Sequence, residues 1–288
     1  MFWSLTESGL RQGLLLVPLA LGIHVAFRFV RYPDLTADGS LLVGSAVCTT
    51  ATLYGVSPLF AILAGAVGGG MLGAVTALLS EKLGVDRIIA GMATSLAAYT
   101  VALRVLGRGN VAVPIAAVTI FSGPTSDIAV AAFAALVLVF IVSVIAKTRA
   151  GLRVRAAGEN GDLAAQLGGS VAFRTTAGLL WANMCVALSG SLLAQHERFV
   201  DISQGAGTLF IGLACVLIGS ALPVGYHLVA GLVSSACGAI LYAFLISLAL
   251  SVGFAPGDLK AITAALVVLT VWAGQRVFPT ERRLSLFP

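Results

Sequence analysis

The stretch 147-KTRAGLRVRAAGENGDLAAQLGGSVAFR-174 determines how the rest of the chain is organised. It is the only long polar segment between two halves that are otherwise almost continuously apolar, and it contains five of the seventeen Lys and Arg residues. Because only 10% of all residues are charged, this segment must lie outside the apolar environment that the two halves prefer. We call residues 147–174 the central polar segment.

The composition of the two halves identifies the broad class. Hydrophobic residues make up 59% of the 288 residues, and the mean hydropathy is +1.03. Apolar runs long enough to cross a bilayer recur along the chain. They lack the period-two alternation of barrel strands, and lipid offers the backbone no hydrogen bonds, so the runs are expected to be helical. The sequence therefore predicts an all-α integral membrane protein.

About eight or nine transmembrane segments are predicted. They are residues 10–29, 40–54, 57–82, 87–106, 127–146, 175–194, 207–222, 225–252 and 258–273. The segments 40–54 and 207–222 are short, and the sequence leaves open whether they cross fully. Pro114 and Pro124 interrupt the residues after 106, which are predicted to form an extramembrane loop.

The positive charges predict an orientation. The central polar segment shares one side with the loops near 28–31 and 82–87 and with Arg276, Arg282 and Arg283, and that side then holds twelve of the seventeen Lys and Arg residues. The positive-inside rule puts this side in the cytosol. We therefore expect a multi-pass protein of the inner (cytoplasmic) membrane with its N-terminus outside and its C-terminus in the cytosol.

An internal repeat is visible at an offset of about 165 to 169 residues, where Asp34 falls on Asp201. Each copy, about 10–106 and 175–273, reads as helix, Asp-containing break, short helix, long helix of small residues, and helix. Five spans separate equivalent elements, so the copies would be inverted, which is typical of transporters whose substrate passes between the repeats. The alternative is that Ala/Gly/Leu-rich helices align by composition alone. Residues 1–288 are predicted to form a single transmembrane domain.

Small residues recur every four positions on the third hydrophobic segment. They are Ala61, Gly65, Gly69, Gly73 and Ala77. This spacing creates one groove in which another helix can approach closely within lipid. Gly65, Gly69 and Gly73 are therefore predicted to be helix-packing positions.

Three segments carry a family resemblance. They are 33-PDLTADGS-40, 156-AAGENGDLAAQLG-168 and 201-DISQGAGTLFIGLACVLIGSA-221. They resemble motifs of the permease subunits of ABC importers in the branched-chain amino acid and ribose/nucleoside group. The first segment is most similar to permeases assigned to uptake of aromatic amino acids such as tryptophan and tyrosine. Arg155, just before the second segment, stands one position away from the basic residue of the family pattern.

The resemblance implies a permease that passes a small polar solute, above all an amino acid. It implies a separate ABC ATPase in two copies that binds ATP and Mg²⁺, with no cofactor on this chain. It also implies a second permease copy in a homodimer and an extracytoplasmic substrate-binding protein. The central polar segment would then be the cytosolic coupling loop that contacts the ATPase. Its coupling residues would be Arg155, Gly158, Glu159, Asn160, Asp162, Ala164, Leu167 and Gly168.

The central polar segment also has the features of a rigid docking element independently of the resemblance. Residues 162–167 favour a short helix between glycines, with an acidic residue near its start. The chain has no G-x-x-x-x-G-K-[ST] motif, so nucleotide must bind elsewhere. No charged residue lies deep within a predicted span, which favours an ATP-driven permease over the alternative, a stand-alone secondary transporter or channel. The alternative for the central polar segment is an ordinary basic loop that only fixes topology.

Polar residues at the breaks and within the spans are candidate substrate-path residues. They are Asp34, Asp38, Ser40, Thr94, Tyr99, Asn183, Asp201 and Thr208. The short helices are expected to border the path, because the backbone of a broken helix needs protein or water around it. The alternative is that the carboxylates only cap helices and that the other groups only bond between helices.

The sequence offers no constellation for an enzyme, a metal site or a nucleic-acid surface. The four cysteines lie inside apolar segments, without the spacing of a zinc or redox motif. No nucleophile and base stand in a recognisable motif, and no basic run is interleaved with aromatic residues. We therefore expect a transport protein that catalyses no reaction and makes no contact with nucleic acid.

Overall fold

The structure, a computed structural model, describes residues 2–166, 168, 170–222 and 227–277. The helices are α1 Phe2–His24, α2 Ala37–Leu53, α3 Pro58–Leu83, α4 Arg87–Leu106, α5 Asp127–Lys147, α6 Arg149–Glu159, α7 Gly161–Gln166, α8 Val171–Glu197, α9 Thr208–Ser220, α10 Leu228–Val252 and α11 Leu259–Val277. A π-helix, Val25–Val30, continues α1 directly, and 3₁₀ turns occupy Ile202–Gly205 and Pro256–Asp258. The strands are β1 Asn110–Ala112 and β2 Phe199–Asp201.

The prediction of an all-α integral membrane protein is confirmed. Seven helical segments among the described residues are long and apolar enough to cross a bilayer: Thr6–Val30, α3, α4, α5, α8, Ile202–Ser220 and α10. α2 has 17 residues and the apolar part of α11 is Leu259–Trp272, so both fall short of that length. In the segment predicted as 207–222, α9 has 13 residues, and the segment reaches the length of a span only when the preceding 3₁₀ turn is included.

The ends of the helices follow signals in the sequence. Pro58 opens α3, where a missing N–H costs no helical hydrogen bond. The carboxylate of Asp86 caps α4 by accepting from the N–H groups of Ile88 and Ile89. Gly84 ends α3 in the left-handed conformation (φ +70°), which glycine adopts without strain.

The two ends of the bundle differ in structure. At one end, β1 and β2 pair antiparallel with Asn110 opposite Asp201, which joins the 107–126 loop to the segment after α8. At the other end, α6 lies against the π-helix, and the Tyr32 hydroxyl donates to Ser80 Oγ. We call these the strand end and the polar end.

Two helices form the interior of the bundle. The windows within Thr6–Val30 and within α8 are 89% and 72% buried, whereas those within α4 and α5 are 28% buried. The main contacts are those of α3 and α2 with α8 and of α1 with α10. The exposed apolar faces of α4 and α5 suit lipid or another subunit.

The central polar segment is more helical than the sequence predicted. Lys147 belongs to α5, residues 171–174 belong to α8, and the connection between them contains α6 as well as the expected short helix, α7. The sequence predicted the short helix near 162–167 but not α6. α6 has 11 residues, and the glycines and arginines among them interrupt the hydrophobic pattern that would predict a helix.

Candidate functional site

α6 is anchored to the polar end of α1. Gly158 lies directly on the carbonyl oxygens of Phe29 and Val30, so a Cβ at this position would clash with backbone. The guanidinium of Arg155 lies 5.3 Å from the centroid of the Phe29 ring and 4.0 Å from Glu159. Gly158 is thus a close-packing position, so bulky residues there would damage the fold.

The opposite face of α6 and α7 is exposed. Leu152 and Leu163 are each 51% exposed although they lie in a polar region, and Asp162 is exposed between them. Asn160 Oδ1 accepts from the N–H of Leu163 at 3.0 Å and so caps α7. Exposed apolar side chains beside charged ones are typical of a surface that another protein covers.

The predicted coupling residues divide into two groups. Glu159, Asn160, Asp162 and Gly168 are exposed, whereas Arg155, Gly158 and Ala164 hold the segment against the bundle. The guanidinium of Arg174 donates to the Ala164 carbonyl at 3.4 Å, which ties α7 to α8. Leu167 lies outside the described residues.

The small residues of α3 face α8. A Cβ at Gly65 would meet Ser191 and one at Gly69 would meet Ala187, while Gly73 lies against the Leu179 carbonyl and Asn183. A Cβ on Gly69 would also lie 3.0 Å from the carbonyl oxygen of Ser40 in α2. All three glycines therefore permit close contact between backbones.

The first break, residues 31–36, contains a buried polar cluster. Asp34 Oδ1 accepts from the Thr36 N–H at 2.9 Å, and Asp34 Oδ2 accepts from Asn183 Nδ2 at 2.6 Å. Asn183 Oδ1 accepts from the Ser40 hydroxyl at 2.7 Å, and the Thr36 and Thr76 hydroxyls are 2.7 Å apart. Each of these five residues is at most 1% exposed. The break thus brings an ionisable residue inside the bundle, which inspection of the spans alone had not anticipated.

The second break, residues 198–207, repeats the local geometry of the first in a more open setting. The backbone of Arg31 has φ +51° and that of Arg198 has φ +52°, a conformation that arginine rarely adopts. Asp201 accepts from the Ser203 N–H at 2.8 Å, as Asp34 does from Thr36. The hydrogen bonds from Ser203 hold the pKa of Asp201 below its usual value.

Asp38 connects the two breaks. Its carboxylate accepts from the N–H groups of Gly207 and Leu209 at 2.9 and 2.7 Å and from the Thr208 hydroxyl at 3.0 Å. Asp38 therefore caps α9, a helix about 170 residues later in the chain. Gly207 has φ +90°, which permits the tight turn into α9.

Two cavities flank residues 202–207. The α9–α11 cavity has a volume of about 570 Å³, and its polar lining residues are Gln12, Glu197, Gln204, Thr208, Tyr242, Lys260 and Thr263. The α2–α4 cavity has a volume of about 790 Å³ and includes Asp38 and Tyr99. Ala206 lines both cavities, so the second break forms the partition between them.

The predicted path residues are distributed unevenly over these cavities. Thr208 lines the α9–α11 cavity, and Asp38 and Tyr99 line the α2–α4 cavity. Asp34, Ser40, Thr94 and Asn183 are buried between helices and line neither cavity. Asp201 is partly exposed beside β1. The Thr94 hydroxyl donates to the Ala90 carbonyl of its own helix.

Six polar residues of the α9–α11 cavity were not predicted from the sequence: Gln12, Glu197, Gln204, Lys260, Tyr242 and Thr263. Gln12, Glu197, Gln204 and Lys260 lie near the ends of apolar segments, where snorkelling toward the interface is the commoner explanation, and Tyr242 and Thr263 lie within apolar segments. The first four share only their place near helix ends at the strand end of the bundle. This shared place becomes visible only in the folded structure.

The structure is a bundle of apolar helices in which two breaks meet beside two cavities, and its polar end presents an exposed surface on α6 and α7. The chain belongs to the family described as the permease component of the branched-chain amino acid transport system, whose model matches residues 5–272. It is therefore a transport subunit and not an enzyme. Membership implies that it is the permease of an ABC importer of small solutes, with ATP hydrolysis on a separate ATPase subunit.

Three relatives are similar along most of the chain. A tyrosine transport system permease protein of Clostridioides difficile is 30% identical over 268 residues, which cover 93% of this chain and 90% of the relative. An uncharacterized protein of Rickettsia prowazekii is 28% identical, covering 93% and 97%. A nucleoside ABC transporter permease protein of Lactococcus lactis is 28% identical, covering 80% and 78%. No solved structure matches the chain significantly.

Proposed function

We propose that this permease imports an amino acid, and that an aromatic one such as tyrosine is its principal solute. The observation that carries the proposal is the junction at Asp38, where the two breaks meet and the helices after them, α2 and α9, border a cavity with a charged rim. The similarity to a tyrosine permease along 93% of the chain supports the choice of solute.

The inverted repeat is part of this proposal. The matched φ values of Arg31 and Arg198 and the matched turns at Asp34 and Asp201 support it, because composition alone would not reproduce backbone geometry. In the inverted repeat, α1 is equivalent to α8 and α3 is equivalent to α10. The packing of α3 on α8 therefore has its counterpart in the packing of α1 on α10. The path then runs beside α2 and α9, at the interface of the two copies.

The exposed face of α6 and α7 is the proposed docking surface for the ATPase. Two permease copies, forming a homodimer, engage two ATPase subunits that bind ATP and Mg²⁺. Closure of the ATPases presses on α6, whose Gly158 lies on the carbonyls of Phe29 and Val30. Movement of α6 thus acts on the end of α1 that leads into the first break.

The proposed orientation follows from the same surface. The polar end faces the cytosol, so the N-terminus is outside and the C-terminus is inside the inner membrane. The strand end then faces the extracytoplasmic binding protein. Contacts of Arg155 with Phe29 and of Arg87 with Tyr32 support one basic side, since these cations share the polar end. Arg282 and Arg283 lie outside the described residues.

Reconstitution tests the proposal. The permease, its ATPase and its binding protein are placed in liposomes, and uptake of radiolabelled L-tyrosine is measured with and without ATP. Uptake that needs both ATP and the ATPase is expected. Uptake by the permease alone would favour a stand-alone transporter, and no uptake of any amino acid would contradict the proposed solute.

A paired variant tests the docking surface. Leu152→Asp with Leu163→Asp should abolish ATP-driven uptake and leave the bundle folded, because both side chains are exposed. Leu152→Met with Leu163→Met is the matched control and should transport normally. If the Asp variant transports like the control, the ATPase docks elsewhere.

A further inference from the structure

The α9–α11 cavity combines an apolar interior with a polar mouth. Gln12, Glu197 and Lys260 are exposed at its rim near the strand end. The walls are leucine and isoleucine side chains from several helices: Leu16, Leu19, Leu41, Leu193, Ile211 and Ile246. A volume of about 570 Å³ with few polar groups lies within the usual range of small-molecule sites.

The rim carries charges of both signs on different helices. Glu197 ends α8, and Lys260 lies in the first turn of α11. Glu197 accepts a hydrogen bond from Gln204 Nε2 at 3.1 Å. The other amide atom, Gln204 Oε1, is buried and has no hydrogen-bond partner among the described residues. An ammonium group beside Glu197 would supply the donor that Gln204 Oε1 lacks.

A second polar feature lies in the cavity wall. The Thr263 hydroxyl donates to the Leu259 carbonyl at 2.8 Å, so the hydrogen between Tyr242 Oη and Thr263 Oγ1, 2.7 Å apart, comes from Tyr242. Tyr242 Oη thereby keeps its acceptor capacity, although the residue is only 5% exposed. A hydroxyl at the end of a long ligand side chain could donate to it.

We infer that this cavity binds one free α-amino acid with an aromatic side chain, on the permease itself. The ammonium group meets Glu197 and Gln204 Oε1, the carboxylate meets Lys260, and the ring enters the leucine-lined interior, where a phenol reaches Tyr242. The inference deepens the proposed function and rests on it for the solute class. A zwitterionic lipid headgroup shares the same pair of charges, so the experiment separates the two sources.

Binding is measured on the full-length permease in nanodiscs made only of phosphatidylglycerol, which lacks an ammonium group. Saturable binding of radiolabelled L-tyrosine is expected. Tyramine, which lacks the carboxylate, and 3-(4-hydroxyphenyl)propionate, which lacks the ammonium, should compete about tenfold or more weakly, since each leaves one rim charge unpaired. L-alanine should compete weakly because it leaves the interior unfilled.

Variants assign each charge to its group. Lys260→Gln should weaken the binding of L-tyrosine by about tenfold and leave the binding of tyramine unchanged, because tyramine has no carboxylate to pair with Lys260. Glu197→Gln should weaken the binding of L-tyrosine to a similar extent and leave the binding of 3-(4-hydroxyphenyl)propionate unchanged. Glu7→Gln and Arg104→Gln, exposed charges outside the cavity, are the matched controls and should bind like the parent. Lack of saturable binding, or equal losses for both ligands in a variant, overturns the inference.

Further measurements distinguish a lipid site from an amino-acid site, and failure of this inference from failure of the proposed function. If native mass spectrometry of protein from cell membranes shows phosphatidylethanolamine retained by the parent and lost in Glu197→Gln, while L-tyrosine does not bind, the cavity is a lipid site and the inference is wrong. ATP-driven uptake of tyrosine without binding to the permease also overturns it but leaves the proposed function intact. Binding without ATP-driven uptake supports the site and contradicts the proposed function.

Discussion

The break between α1 and α2 and the break between α8 and α9 use the same local turn in different surroundings. Each follows an arginine in the left-handed conformation, and each has an Asp that accepts from the N–H two residues later. Asp34 is buried and accepts a hydrogen bond from Asn183 of α8, whereas Asp201 is partly exposed and its carboxylate accepts from Ser203 of its own turn. The same turn is therefore fixed by packing in one copy and left at a cavity wall in the other.

The largest effect is expected at Asn183, which bonds the carboxylate of Asp34. Asn183→Leu leaves Asp34 and Ser40 without their partner in the interior, and should cost about 3 kcal/mol of stability. The melting temperature in detergent reports the loss. Met184→Leu, a neighbouring change outside the polar cluster, should cost less than about 1.5 kcal/mol. Equal melting of the two variants would mean that the first break is not held by this cluster.

Packing around the first break is tested by two adjacent glycines of α3. Gly69→Ala adds a Cβ that meets Ala187 and the Ser40 carbonyl, and should cost about 1 to 3 kcal/mol. At Gly68 the added Cβ would lie 3.5 Å from the nearest side chains, an ordinary contact. Gly68→Ala should therefore be neutral, or stabilising through helix propensity. Identical melting temperatures for both would contradict the close packing of α3 on α8.

The junction between the breaks should respond more modestly. Asp38→Ala removes the cap of α9, which should cost about 1 to 2 kcal/mol. Faster hydrogen exchange is expected at residues 205–210, with little change at the first break. Thr36→Ala removes a hydroxyl on the first break only and is the matched comparison. Faster exchange at both breaks in Asp38→Ala would show that they are not separately held.

The smallest effect is expected at Asp201. Because its pKa is lowered in the folded protein, its carboxylate contributes stability that is present above the ordinary value of 3.8 and is lost as the pH falls through the lower folded value. Asp201→Asn should remove this small contribution, so stability at neutral pH falls slightly and the loss on acidification becomes smaller. The melting temperature, followed from neutral pH to below about pH 4, measures it. A large loss in Asp201→Asn at neutral pH would mean that the second break is as fixed as the first.

The sequence predicts the apolar helices well, because their signal is local. α4 was predicted at residues 87–106 and has those bounds. The three-residue strands β1 and β2 were missed, since they pair residues about 90 positions apart and their letters resemble any loop. α6 was missed because Gly151 and Gly158 lower helix propensity, although in the structure they allow close contact with Ala146 and the π-helix.

The residues around the breaks were recognised, and their partners were not. Asp34, Asp38 and Asp201 stand out in an apolar chain. The sequence left open whether each carboxylate caps the helix that follows, but Asp38 caps α9 and Asp34 binds α8. The rim of the α9–α11 cavity was equally invisible, because Glu197 and Lys260 become neighbours of one cavity only when α8 and α11 are assembled. Contacts between distant helices have no local pattern in the sequence.

The bond between Asp34 and Asn183 has a consequence for the order in which the protein is made. The two residues are 149 positions apart, which is about half of the chain. The ribosome must therefore synthesise all of these residues after Asp34 before Asn183 exists. A carboxylate without a partner is costly within lipid. We therefore expect the first break to stay at the water interface, or within the translocon, until α8 is inserted. The turn that is made first thus waits for α8, and the first half of the protein is expected to reach its final depth only when the second half begins to insert.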